Sequence, residues 1–314
     1  MGDDDKVITD MTTPATTAGT STGRNGCLFC FGLGFTARHL IRRLDTAHWR
    51  IAGTVREKSA AERWHATGVD AYIFDGSSCT PGIAETLAEA THILVSAPPG
   101  PEGDPVLAHY HDVFANAVHL RWIGYLSTVG VYGEHHGGWV DEATPAAPAS
   151  RRSQLRRAAE EDWERLGSNS GKRVVIFRLA GIYGPGRSAI DNVRSGRARR
   201  IIKPGQRFNR IHVDDIATAL LASMSGRGSA PVLNITDDLP APPQDVIAHA
   251  AELLGLPLPP AVAFEDADLS PMARSFYGEN KQVRNDLMKR DLGIELRNPT
   301  YREGLAAILA AERS

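Results

Sequence analysis

The chain has 314 residues, with 35 Lys and Arg against 37 Asp and Glu, so its formal net charge is −2. A length of this order suits about two domains, and 42% hydrophobic residues supply an ample core. The near-neutral balance argues against bulk nucleic-acid binding, and no apolar run approaches the ~18 residues of a membrane-spanning helix. Three cysteines exclude a disulfide scaffold and suit a reducing, cytoplasmic setting.

Residues 1–25 are rich in Thr, Ser, Gly and Ala without an apolar period, and read as a disordered tail that cannot bury enough surface to fold. Their acidic opening with Lys6 resembles a protease-site scar, with Met11 as a candidate native start. They lack the unbroken apolar core of a signal peptide.

Order begins at Cys27–Phe31, an apolar run fit for a strand buried on both faces. Gly32-Leu33-Gly34-Phe35-Thr36-Ala37 follows, and Ala37, Leu40, Ile41 and Leu44 then recur at helical spacing. This is G-x-G-x-x-A between a strand and a helix, the context that a dinucleotide fingerprint requires. Gly32 permits the tight turn, Gly34 lets a pyrophosphate approach the backbone, and Phe35 and Thr36 open the helix. Ala37 is small enough for helix and strand to pack closely.

The second strand, Arg50 to Val55, runs into Arg56. An NAD-preferring site places Asp or Glu there for the ribose, whereas Arg56, with Lys58 nearby, suits a 2′-phosphate. The expected cofactor is therefore NADP, with NAD as the alternative. Strands over 71–74, 92–96 and 122–126 alternate with helices over 83–90 and 106–117, the rhythm of a doubly wound parallel sheet. Ligands gather at the carboxyl ends of such strands, which makes Asp75, Ser96 and Ala97 expected adenosine and ribose neighbours. Cys27 and Cys30 have redox or zinc spacing, but i and i+3 of a strand point to opposite faces. They read as buried apolar residues, and no metal site is expected.

Three later segments add specificity: Ser127-Thr128-Val129-Gly130-Val131-Tyr132-Gly133, Arg178-Leu179-Ala180-Gly181-Ile182-Tyr183-Gly184, and Ile211-His212-Val213-Asp214-Asp215. With the glycine turn they resemble an extended short-chain dehydrogenase/reductase of the NAD-dependent epimerase/dehydratase type, over residues 26–310. The resemblance implies an α/β fold, a Rossmann-type doubly wound seven-stranded parallel sheet with a smaller, interleaved C-terminal substrate domain. Residues 26–182, with 208–236 returning to them, are then the NADP-binding domain. Residues 183–207 and 237–314 form the substrate domain.

The resemblance makes Thr128 the hydroxyl that orients the reacting carbonyl or alcohol, able to donate as charge develops on oxygen. The family follows with a Tyr-x-x-x-Lys pair at the start of a helix, Tyr as general acid/base and Lys lowering its pKa. A helix is expected from Leu155, Ala159 and Trp163, but its Tyr is absent. Arg152 or Ser153 takes the tyrosine position, and Arg156 or Arg157 the lysine position. Arg156 can hold a ribose hydroxyl or a phosphate, but its pKa is too high for an acid near neutral pH. Replacement groups are Tyr132, His135 with His136, Asp141 with Glu142, and Asp104, the last equally readable as a helix N-cap. Tyr183, in the turn that the family sets near the nicotinamide, joins the expected cofactor residues.

Arg194, Arg197, Arg199, Arg200, Lys203, Arg207 and Arg210 follow, seven cations that suit either an anionic substrate group or a solvated face. Asp215 is expected to cap a helix over 216–223, Pro231–Ile235 to be the last strand, and 244–254 and 300–312 to be helical. The function expected is an NAD(P)-dependent oxidoreductase or epimerase/dehydratase-like enzyme, acting by hydride transfer on a small or sugar-like carbonyl or alcohol. The alternative is a non-catalytic NADP(H)-binding regulator or redox-sensing scaffold. The expected partner is a small molecule, anionic if the arginines grip it, with no nucleic acid and no membrane; a homodimer is the assembly considered.

Overall fold

The computed structural model describes residues 26–313, so the tail expected over 1–25 lies outside the described residues. The chain clusters into two compact units, one ending at Leu126 and resuming over Ala158–Ile176, the other formed by Ser127–Arg157 and the chain from Phe177 onward. In chain order the elements are β1 (Gly26–Phe31), α1 (Phe35–Ile41), β2 (Trp49–Val55), α2 (Lys58–His65), β3 (Asp70–Ile73), α3 (Ile83–Glu89), β4 (His92–Val95), α4 (Pro105–Asn116) and β5 (Trp122–Thr128). Then come β6 (Trp139–Val140), α5 (Arg151–Ser170), β7 (Val174–Leu179), β8 (Gly181–Tyr183), α6 (Ala189–Arg194), β9 (Arg200–Ile202), β10 (Arg210–His212) and α7 (Val213–Met224). The chain closes with β11 (Val232–Ile235), α8 (Pro243–Leu254), β12 (Ala261–Ala263), α9 (Pro271–Phe276), β13 (Gln282–Val283), α10 (Asp286–Leu292) and α11 (Tyr301–Ala311).

Seven strands form one sheet in the order β11-β7-β5-β4-β1-β2-β3, the doubly wound parallel sheet that the sequence predicts. All six residues of β1 are buried, because a central parallel strand is covered on both faces and needs no polar alternation. β1 pairs with β2 on one side and with β4 on the other, Phe31 standing opposite Val95. The strand order reverses between β1 and β4, which opens the crevice where α/β sheets bind ligands. Cys27 and Cys30 are buried within β1, and burial pushes the Cys30 thiol well up, out of reach of ionisation. Among the described residues no cluster of His, Cys, Asp or Glu is placed to hold a metal, and no helix is long and apolar enough to cross a membrane.

Asp104 shows how a single polar residue organises the first unit. Its Oδ1 accepts the N–H groups of Val106 and Leu107 at 2.9 and 3.1 Å, so it is the N-cap of α4 with Pro105 directly after it. Its Oδ2 accepts the indole N–H of Trp163, on α5, at 3.1 Å. Trp163 is fully buried and packs on Phe114 of α4 and Tyr125 of β5, at ring separations of 5.6 and 5.9 Å. Full burial of an aromatic of this size contributes about 2–3 kcal/mol, provided that the indole N–H keeps its acceptor.

The second unit is built from short parallel pairs, β6 with β13, β8 with β10 and β9 with β12. Its apolar core gathers Tyr183, Ile190, Val193, Val246, Tyr301, Leu305 and Ile308. One expectation is corrected here. α7 begins at Val213, capped by His212, whose Nδ1 accepts the Asp214 N–H at 3.2 Å. Asp215 is inside the first turn and fully buried, and it accepts the N–H groups of Arg297 and Asn298 and the Asn298 side-chain amide, at 2.7, 3.1 and 3.0 Å. It anchors a distant segment rather than starting a helix.

Replacing Asp104 by Ala removes a cap and strands a buried indole donor, a combined loss of about 2–4 kcal/mol. Urea unfolding of D104A is expected to show that loss, with D104N intermediate because Asn also caps.

Candidate functional site

The glycine turn is held from three strands. Gly32 N–H donates to Thr54 Oγ1 at 3.0 Å, and Leu33 N–H to the Thr54 carbonyl at 2.8 Å, both at the end of β2. Ser96, just past β4, donates its hydroxyl to the carbonyls of Phe31 and Gly32, at 2.9 and 3.1 Å. Gly32 has φ of +99°, and a Cβ there would stand 2.4 Å from Ser96 Oγ, so this position admits only glycine. Gly34 differs. It has φ of −92°, and a Cβ there would meet nothing within 4 Å. Neither backbone strain nor packing demands glycine at 34, and the open space over it is room for a ligand to approach the backbone. α1 starts directly after it without a side-chain cap, and Thr36 and Ala37 are buried against the unit while Phe35 lies beside His39. The donor set fits a dinucleotide pyrophosphate: main-chain N–H groups at a helix start and no competing carboxylate.

The other expected cofactor residues of this unit sit on strand ends. Arg56 follows β2 directly, is exposed, and forms no ion pair or hydrogen bond among the described residues. Asp75 follows β3, exposed, accepting the Ser77 N–H and hydroxyl at 2.8 and 2.7 Å. Those bonds hold its carboxyl below the usual range. Ala97 is half-buried beside Ser96.

The second unit carries the hydroxyl groups. Thr128 ends β5, and its Oγ1 accepts the Gly130 N–H at 3.1 Å, capping the single helical turn Val129–Tyr132. Ser150 Oγ accepts the Ser153 N–H at 3.2 Å and donates its own hydrogen to Ser153 Oγ at 2.9 Å. Thr128 and Ser153 flank Gly130 closely: an added Cβ there would lie 3.4 Å from Thr128 Oγ1 and 2.9 Å from Ser153 Oγ. On α5 Ser153 and Arg156 are buried while Arg152 is exposed and Arg157 half-buried. The sequence offered Ser153 only as an alternative to Arg152 at the tyrosine position, and its bond to Ser150 was not visible there.

Tyr132 is fully buried, and its hydroxyl donates to Asn234 Oδ1 at 2.8 Å, while the Arg178 guanidinium lies 4.9 Å over its ring. Burial pushes its hydroxyl up, and Arg178 offsets part of this. Asn234 N–H donates to Glu142 at 2.7 Å, and burial raises that carboxyl. His135 is half-buried, its Nε2 3.0 Å from the Tyr132 carbonyl. Tyr183 lies in the apolar core of this unit, its hydroxyl donating weakly to the Thr300 carbonyl at 3.3 Å. Each tyrosine thus gives its hydroxyl hydrogen to an acceptor within this unit. Asp104, as shown above, is occupied at both oxygens.

Most of the seven cations are fixed by neutral acceptors. Arg194 alone of them meets a carboxylate among the described residues, Glu312 at 2.7 Å. Arg199, Arg200, Arg207 and Arg210 donate to main-chain carbonyls, as does Lys203, and Arg197 donates to Ser195 Oγ. Arg210 neighbours Asp237, whose Oδ2 is buried without a partner among the described residues. Burial pushes the Asp237 carboxyl up to about 8, against the opposing pull of the Leu239 N–H and Arg210.

A family model of the NAD dependent epimerase/dehydratase family matches residues 32–235. The chain belongs to that family. A conserved protein of unknown function from Silicibacter pomeroyi DSS is 51% identical, with a TM-score of 0.83 over 91% of this chain and 99% of that chain. YeeZ of Escherichia coli K12 is 26% identical over 281 residues, 85% of this chain and 94% of its own. A dTDP-glucose 4,6-dehydratase from Bacillus anthracis, solved in complex with NAD, is 16% identical with a TM-score of 0.72, over 92% of this chain and 96% of that one, a likeness of fold.

The two glycines separate stability from binding. G32A should lose about 2 kcal/mol or more through strain and the displaced Ser96 bonds. G34A should stay within about 1 kcal/mol of the parent yet bind a dinucleotide at least about tenfold more weakly; thermal unfolding and a fluorescence titration read the two effects. Asp237 sets a pH dependence. Its folded pKa lies above the unfolded value, so between about pH 4 and 8 the folded chain holds a proton that the unfolded chain has lost. Stability should fall as pH rises through that window and level off above it. D237N should flatten this slope in unfolding curves measured across it.

Proposed function

We propose that the chain is an NAD(P)-dependent oxidoreductase or epimerase/dehydratase-like enzyme that acts by hydride transfer on a small or sugar-like carbonyl or alcohol. The observation that carries this reading is the open Cβ position of Gly34 beside the locked Gly32 turn, at the strand-order reversal. NADP is the favoured cofactor, because exposed Arg56 offers a guanidinium for a 2′-phosphate where an acidic residue would suit NAD. When bound, the nicotinamide supplies a hydride donor or acceptor.

The chain's own groups supply the proton and the orientation. Thr128 spends one lone pair of its oxygen on Gly130 N–H, which leaves its O–H for the oxygen of a substrate. Ser153 stands in for the absent tyrosine. A serine hydroxyl is a far weaker acid than a phenol, so it acts as a relay: Ser150 donates to Ser153, and Ser153 donates onward. Half-buried Ser150 links that relay to water. Arg156, buried on α5 three residues on from Ser153 and so one short of the family's four-residue spacing, which falls on half-buried Arg157, takes the ribose-holding role of the family's lysine. Tyr132 and Asp104 take structural roles, and His135 orders the loop after Tyr132.

The second reading is a non-catalytic NADP(H)-binding regulator, favoured by one observation, a serine where the family's phenolic acid belongs. Titration with NADPH and NADH tests the shared premise, and R56E should reverse a preference for NADPH. A screen of carbonyls and sugar nucleotides then separates the readings. The enzyme reading expects turnover that T128A lowers about 100-fold in kcat, with cofactor Kd changed less than about twofold. Tight binding with no turnover, unmoved by T128A, supports the regulator; no binding of either cofactor defeats both.

A further inference from the structure

The loop from β3 to α3 carries the one exposed cysteine of the chain's three, Cys79, while Cys27 and Cys30 are buried. The thiol has a base beside it. Its Sγ lies 3.7 Å from Nδ1 of His109, on α4, and 3.8 Å from the carbonyl of the same residue. The His109 ring is half-buried, edge-on to Phe74 at 5.9 Å and next to Tyr110. Its Nε2 lies 3.1 Å from the Gly76 carbonyl. A carbonyl only accepts, so the neutral ring carries its hydrogen on Nε2 and turns the lone pair of Nδ1 toward the thiol.

The loop is also held in register. Ser77 bonds to Asp75, Thr80 N–H donates to the Tyr110 hydroxyl at 3.2 Å, and the Thr80 hydroxyl donates to the Ile73 carbonyl at 2.6 Å. The nucleophile and the carbonyl that orients the base thus come from one loop and the base from α4, the arrangement of an activated nucleophile. Nothing in the proposed reaction uses it.

We propose that Cys79 is a modification site, a thiol activated by His109 for exchange with low-molecular-weight disulfides. Nδ1 of His109 takes the thiol proton as Sγ attacks one sulfur of the disulfide. A new S–S bond forms to that sulfur, the old S–S bond breaks, and the departing thiolate recovers the proton from His109. The Cys79 sulfur is oxidised into the mixed disulfide, and the released half is reduced to a thiol. Exposure admits the disulfide at Cys79, and burial closes Cys27 and Cys30. This chemistry does not depend on whether the glycine turn binds a dinucleotide.

The test incubates the full chain with glutathione disulfide and follows intact mass and peptide mapping. One adduct per chain is expected, at Cys79, and none in C79S. In H109Q, shown to be folded by circular dichroism, the rate should fall about tenfold or more. A peptide of residues 74–82, which has the thiol without the imidazole, should react as slowly as H109Q, and it serves alone if H109Q does not fold. Equal rates for the native chain and the peptide, or for the native chain and folded H109Q, overturn the proposal.

Discussion

The Gly32 N–H bonds to Thr54 Oγ1, and the Ser96 hydroxyl bonds back to the carbonyls of Phe31 and Gly32, so the ends of β1, β2 and β4 are tied at a residue that cannot carry a side chain. The remainder of the first unit's functional edge depends on this knot. It fixes where β1 stops and how the chain turns into α1. It also leaves Gly34 as the place where the backbone faces outward with nothing in front of it. The two glycines of one short motif thus differ: Gly32 is fixed by the protein's own atoms, whereas Gly34 meets none of them.

The second unit solves a different problem, the burial of many polar groups, and solves it by pairing them locally. Tyr132, Asn234 and Glu142 form a chain of bonds in which every donor meets an acceptor, with Arg178 stacked on the phenol ring. The arginine-rich segment follows the same rule. Its guanidinium groups are spent largely on main-chain carbonyls, which satisfies hydrogen bonds without cancelling charge. The positive field of that segment therefore persists although its side chains are held in place. Asp237 is one of the exceptions among the described residues, with the side-chain oxygens of Gln206 and Gln244: its second oxygen is buried without a bond, and its carboxyl stays protonated to higher pH.

The parallel sheet was legible because each of its central strands is a run of apolar residues, and β1 is buried throughout. The glycine motif was legible because its spacing sits between such a strand and an amphipathic helix. The partners of buried polar residues were not legible. Asp215 looks like a cap beside a helix start, yet its acceptor capacity is taken by residues 82 and 83 positions away. The tyrosine of the V-Y-G turn looks available for chemistry, yet its hydroxyl is claimed by Asn234, 102 positions on. Whether Arg152 or Ser153 faces inward was undecided by spacing alone, since a one-residue register turns a helix by about 100°. The Cys79–His109 pair escaped notice for the same reason, the two lying 30 positions apart.

The turn that follows Thr128 has a consequence for the order in which the chain assembles. Lys281 donates its ammonium hydrogen to the Gly133 carbonyl at 2.7 Å across 148 positions, and Glu134 accepts the Asn280 N–H at 2.6 Å across 146. Gly137 N–H donates to the Asn280 carbonyl as well. During synthesis, residues 133–138 emerge long before the segment that completes their hydrogen bonds. Closing loops of this length costs entropy that only late contacts repay. Strands β1 to β4 pair only with one another and with β5, all before residue 129, and are free to form first. The loop beside the hydroxyl pair acquires its final shape only once the chain beyond residue 280 has docked, which makes it a late-folding part of the molecule.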